Sequence, residues 1–187
     1  MTTNQKLWSK TVLSSYNYLK RLCDSIDKLI ENTAVNSYYS FSYKNGENSI
    51  ANISKKIINL SNRKIDYINL KVLTEKALKD MPKEQAKLLV LKFIHKIPIQ
   101  TICNLSNISK RSAYRKLEQA IMAFMLVLSR YGYSAEKFEL DYSGDPFVSS
   151  IYKLIKRSNF VLEEKAEVIT NDSVFNKYIN ELMASAI

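Results

Sequence analysis

Lys110, Arg111, Arg115 and Lys116 crowd into the run SKRSAYRK, residues 109–116. Ser109 is a good N-cap, so a helix is expected to begin just after it. The helix dipole disfavours positive charge at that end. The cluster is therefore better explained by an anionic ligand than by helix stability. Arg111 and Arg115 are four apart and share one helix face. Such a pair suits guanine edges in the major groove of a DNA duplex. Ser112 lies between them, and Tyr114 and Lys116 suit the phosphate backbone. A merely solvated basic face is the competing account, and clustering at the N-terminal turns weighs against it.

These side chains need a rigid mount, and the flanking residues predict one. Pro82 opens a helix at its first position, with Ala86, Leu89, Val90, Phe93 and Ile94 as its apolar face, and Pro98 stops it. Ile99 to Ser106 then reads as a short helix. Asn107 tolerates left-handed backbone angles and suits a tight corner. From Lys110 to about Arg130 the spacing of Ala113, Leu117, Ala120, Ile121, Phe124 and Leu128 predicts a longer helix with those residues inward. A short helix, a corner and a capped second helix make a helix-turn-helix. Small or apolar residues are needed where the two helices meet, and Ile102, Cys103, Ile108 and Ala113 supply them.

The charge balance fits this placement. The chain of 187 residues carries 28 Lys and Arg against 18 Asp and Glu. Residues 83–130 hold 9 basic and 2 acidic groups, whereas residues 131–187 hold 6 and 9. A middle block so strongly basic favours a polyanion, with double-stranded DNA the expected partner. Only 3 Gly and 3 Pro are present, and apolar residues make up 46%. That composition disfavours glycine-rich phosphate loops and β-barrels and predicts an all-α fold.

Three segments are expected. Residues 1–76 read as an N-terminal helical hairpin with a polar, aromatic loop at 32–48. In the first helix, residues 7–31, Val12, Tyr16, Leu19, Cys23, Ile26 and Ile30 form one apolar seam. In the second, residues 49–80, Ile50, Ile53, Ile57 and Leu60 open a stripe that Ile58, Ile65, Ile68 and Val72 continue. Pairing of these stripes within the chain and a homodimer through them are both open. In the loop, Asn45-Gly46 marks a turn, and Tyr39, Phe41 and Tyr43 alternate as in a small hairpin. Their rings are expected to tuck against helices, since only Lys44 interleaves with them as a base-stacking surface would require. Residues 77–130 hold the helix-turn-helix. Residues 131–187 read as a linker, to Gly144, and two C-terminal helices. One is capped by Asp145-Pro146 and runs to Arg157; the other starts near Asp172 and carries Phe175, Ile179 and Leu182.

At residues 77–121, ALKDMPKEQAKLLVLKFIHKIPIQTICNLSNISKRSAYRKLEQAI, the chain resembles region four of bacterial sigma factors. The family pattern is matched by Met81-Pro82, Phe93, Pro98, Ile102-Cys103, Ile108-Ser109, and Leu117 with Ala120. Thr101 stands where the family has Glu, Ser106 (after Leu105) where it has Leu, and Asn107 where it has Gly. LuxR-type regulators share a similar pattern. Nothing in residues 1–76 resembles the region-two block of a complete sigma factor. The layout is similar to small phage and prophage regulators, the ArpU-like and sigma-like late-gene activators. The resemblance implies promoter recognition, with RNA polymerase as a further partner.

Catalysis is not expected. The sequence has no Ser-His-Asp set, no HExxH, no metal-ligand cluster and no glycine-rich phosphate loop, so neither metal nor cofactor is implied. His95 reads as a helix C-terminal residue or a phosphate contact. Cys23 and Cys103 read as buried thiols of a reducing compartment. No signal peptide and no membrane span is visible, so the expected location is cytoplasmic. A non-enzymatic interaction protein, binding RNA polymerase or RNA through the same basic surface, is the alternative.

Overall fold

No Gly or Pro interrupts residues 3–41 or 47–79, and each run is a single helix: α1, Thr3–Phe41, and α2, Glu47–Lys79. The computed structural model describes residues 3–41, 47–158 and 164–184. Among them are eight α-helices and no strand, so the fold is all-α. After α2 come α3 (Lys83–Leu89), a π-helical turn (Val90–Ile94), α4 (Ile99–Ser106), α5 (Lys110–Arg130), α6 (Ala135–Tyr142), α7 (Pro146–Ser158) and α8 (Glu164–Ala184).

α1 and α2 pack side by side and antiparallel. The Tyr16 hydroxyl donates to Glu75 at 2.7 Å, and Lys64 donates to Asp27 at 2.6 Å, so α2 descends as α1 rises. The α1 seam is filled from within the chain: Val12, Leu19 and Ile26 are buried, and Tyr16, Cys23 and Ile30 are half-buried. α1 also has a second buried face, formed by Trp8, Thr11, Ser15, Tyr18, Leu22 and Leu29. Trp8 stacks on Tyr152 of α7 and Phe138 of α6, and Tyr18 lies between Phe147 of α7 and Phe175 of α8. α1 is thus the central post of the fold.

Four expectations need correction. Residues 32–41 continue α1 rather than opening a loop, and Tyr39 and Phe41 are helical, not hairpin strand. No Gly or Pro stands between Thr3 and Phe41 to end the helix earlier. Tyr43 and the Asn45-Gly46 turn lie outside the described residues. The α2 stripe of Ile58, Ile65, Ile68 and Val72 does not pair with α1; all four side chains are exposed. α2 instead buries Leu60, Tyr67, Leu70, Leu73, Thr74 and Ala77. Residues 135–142, expected within a linker, form α6 because Ser134 caps it and Phe138 and Tyr142 reach the core. The last helix starts at Glu164, eight residues before Asp172; Phe175 and Leu182 are buried, and Ile179 is half-buried.

Cys103 is buried, whereas Cys23 is half-buried; both are free thiols. Burial pushes the Cys23 thiol up from its ordinary value.

A polar cluster ties α2 to the C-terminal helices. Asp145 accepts from the Val148 amide at 2.8 Å, capping α7, and from the Tyr67 hydroxyl at 2.7 Å. Tyr67 also meets Tyr178 of α8 at 3.1 Å, and Arg63 donates to Tyr178 at 3.2 Å. Burial raises the Asp145 carboxyl above its ordinary value despite these hydrogen bonds.

Candidate nucleic-acid interface

Local chemistry sets the angle between α4 and α5. α4 buries Ile99, Ile102 and Cys103 and closes on Asn107, whose φ of 50° and ψ of 46° are left-handed. The Ile108 amide donates back to the Cys103 carbonyl at 3.1 Å and the Asn107 amide to Asn104 at 3.4 Å. These are the two bonds of a Schellman closure. Asn serves there because it tolerates that backbone region better than most residues. Ser109 is extended, and its hydroxyl accepts from the Ser112 amide at 3.2 Å, so α5 is capped where the sequence placed the cap.

α5 is sharply two-sided. Ala113, Leu117, Ala120, Ile121, Phe124, Met125, Val127 and Leu128 are buried. At its N-terminal turns Lys110, Arg111, Arg115 and Lys116 are exposed, while Ser112 and Tyr114 are half-buried. Tyr114 packs against the core, so its ring is part of the mount as much as of the outer face. The departures from the resembling family fall on the outside of α4: Thr101 and Ser106 are exposed, and Leu105 is 71% exposed. Ile108 packs on the core in half-buried form.

Glu118, one turn beyond Arg115, is the carboxylate that α5 carries. It is matched by α1: Lys6 pairs with it directly, and the Lys10 ammonium lies 3.9 Å away. Gln5 donates to Ser129 further along. The N-terminal turns of α1 thereby lie against α5 and offset its negative charge.

α1 also fixes the segment that leads into α4. In the π-turn the His95 amide reaches the Val90 carbonyl at 2.8 Å and the Ile97 amide reaches Leu91 at 2.9 Å. This wide winding leaves carbonyls to satisfy. Asn17 of α1 donates to the Phe93 and Ile94 carbonyls at 3.2 and 2.7 Å. Lys96 follows with φ 53°, so the helix ends before Pro98. His95 is exposed. Sequence reading missed Asn17, Lys6 and Lys10. An Asn inside a helix, where its side chain competes with the backbone, was the available signal for Asn17. The partners of Lys6 and Lys10 lie more than a hundred residues away and leave no local trace.

No protein-family model matches this chain, and neither a curated protein nor a solved structure is found similar to it. Among the described residues no group of His, Cys, Asp and Glu is placed to hold a metal ion. Nor is any described helix long and apolar enough to cross a membrane.

Proposed function

We propose that this chain is a non-enzymatic, sequence-specific DNA-binding regulator of transcription, sigma-factor-like, that reads promoter or operator DNA with the first turns of α5. The observation that carries the reading is the set of exposed cations Lys110, Arg111, Arg115 and Lys116 at the capped start of a helix whose other face is core. α5 would enter the major groove while α4 crosses the backbone. Arg111 and Arg115 would pair with guanine, and Lys116 and Tyr114 would touch phosphate. Such a protein works in the cytoplasm beside RNA polymerase and needs no cofactor.

The test is a salt titration of binding to a selected duplex and to a scrambled one. Arg111→Ala or Arg115→Ala should lose about 1–3 kcal/mol on the selected site and much less on scrambled DNA. Lys116→Ala should weaken both alike and reduce the salt slope by about one. Equal, small losses for both arginines on both duplexes would leave only non-specific electrostatics.

A second reading, an interaction protein that binds RNA polymerase or RNA through the same basic surface, is favoured in its protein-binding form by the exposed aliphatic side chains of α2 and Leu105 of α4. A homodimer through the N-terminal helices would use that α2 face, because the α1 seam is filled within the chain. A protein that never prefers any duplex sequence but co-purifies with polymerase would decide for the second reading.

A further inference from the structure

Lys96 sits between the π-turn and α4 with φ 53°, a conformation uncommon outside glycine. Its ammonium donates to the Tyr18 hydroxyl at 2.9 Å and to Asp172 of α8 at 3.3 Å, and it lies 4.8 Å from the centre of the Tyr18 ring. The Tyr18 hydroxyl donates to the same Asp172 oxygen at 2.6 Å. The central post, the segment that launches α4 and the last helix therefore meet at one carboxylate. These partners, with Arg21 nearby, hold the Asp172 carboxyl below its ordinary value.

α8 docks on the core through one side, where Val174 and Ile179 are half-buried. Among its described side chains only Phe175, Tyr178 and Leu182 are buried apolar groups. It also contacts cations: Arg21, itself exposed, lies 4.2 Å from the centre of the Phe175 ring, and the half-buried Arg63 and Lys96 bond to Tyr178 and Asp172. The segment after residue 130 is acidic and the block before it basic, so docking of α8 is favoured by charge.

We propose that α8 is an autoinhibitory latch, in which Asp172 withholds the Lys96 ammonium from nucleic-acid phosphate until the helix undocks. The inference rests on the DNA-binding reading above. Lys96 lies two residues before the proline that opens α4, the helix that crosses the phosphate backbone in this kind of docking. Its charge is spent on an acid of the chain's own tail, and binding at that point has to exchange the Asp172 carboxylate for a phosphate.

The experiment is a salt titration of full-length protein on a random-sequence duplex, with wild type, Asp172→Asn, Lys96→Ala and the double variant. Asp172→Asn is expected to bind several-fold tighter at low salt and to steepen the salt slope by about one, the signature of one more phosphate contact. Adding Lys96→Ala should return both quantities to wild type, whereas Lys96→Ala alone should leave the wild-type slope. Amide hydrogen exchange over residues 95–102 gives a readout free of nucleic acid, and Asp172→Asn should speed it because the left-handed Lys96 loses its anchor. Asp172→Glu, which keeps the charge, serves as the folded control with the wild-type slope. A wild type that binds duplex with a slope and exchange rate unmoved by Asp172→Asn overturns the latch and spares the DNA-binding reading. A gain that survives in the double variant also overturns it, as a mere effect of net charge. Absence of duplex binding by all four proteins overturns the DNA-binding reading and the latch together.

Discussion

α1 and α2 are long, breaker-free helices with apolar residues at helical spacing, yet one became the centre of the fold and the other an edge. α1 is buried on two faces, with Leu19 and Ile26 on one and Tyr18 and Leu22 on the other, all nearly inaccessible. α2 buries one face and leaves Ile58, Ile65, Ile68 and Val72 from 42 to 57% exposed. The difference lies in the residues that do not look apolar. The second face of α1 runs Trp8, Thr11, Ser15, Tyr18, Leu22, a three-four spacing that appears only when small hydroxyl residues are counted. Thr11 satisfies its own hydroxyl on the Leu7 carbonyl at 2.9 Å, so it is buried without a partner helix having to supply a polar group. In α2 the covered side holds Leu60, Tyr67, Leu70, Leu73, Thr74 and Ala77, with the half-buried Arg63 beside them. Arg63 and Tyr67 lie on that side because Asp145 and Tyr178 meet them there.

The largest effect is expected at Leu19, in the α1 seam. Leu19→Asp puts a carboxylate at a fully buried position of that seam. A loss on the order of 4–5 kcal/mol is expected, enough to unfold a marginal domain. Urea denaturation followed by circular dichroism measures it. A variant that keeps its wild-type midpoint would mean that α1 is not the post described above.

Asp145 tests the polar seam of α2. Asp145→Ala removes the cap of α7 and one partner of the buried Tyr67 hydroxyl, and about 2 kcal/mol should be lost. Asp145→Asn keeps the capping oxygen and should cost little. The pH dependence gives the sign. The folded carboxyl titrates above 3.8, the ordinary aspartate value, so the folded state holds the proton more tightly than the unfolded chain. Its contribution is fully present below 3.8 and is lost as pH rises through the folded value. Wild type should therefore lose stability relative to Asp145→Asn as pH is raised from about 4. Asp172 is shifted the other way, and its contribution is lost as pH falls below 3.8. Midpoints of both Asn variants between pH 3 and 7 should diverge from wild type with opposite slopes; parallel curves would remove the distinction between the two carboxylates.

What could be read in advance follows the same division. The α4–α5 unit was legible because each feature is local: Pro98 before α4, Asn107 left-handed at the corner, Ser109 capping, and Ala113 and Leu117 inward. The exposed cations at the start of α5 are where periodicity put them. Which face of α2 would be covered was not legible, because the choice was made by Asp145 and Tyr178, some eighty and more than a hundred residues away. The continuation of α1 past residue 31 was masked by a polar, aromatic composition that suits a loop equally well. The support that α1 gives to α5 and to the π-turn depends on the tertiary placement of Lys6 and Asn17.

The smallest effect is expected on the exposed face of α2. Ile65 is 53% exposed, directly between Ile58 and Val72 at seven-residue spacing. A folded chain gains little from such a side chain, so Ile65→Asp should shift stability by no more than about 0.5 kcal/mol. The same change from aliphatic to aspartate at Leu19 should cost roughly ten times as much. Sedimentation of wild type and variant at matched concentrations completes the test. Equal mass with equal melting identifies the stripe as solvent-facing in the isolated protein. A wild-type dimer that Ile65→Asp dissociates would instead make α2 a covered helix, with a second copy of the chain taking the place that α7 and α8 take on α1.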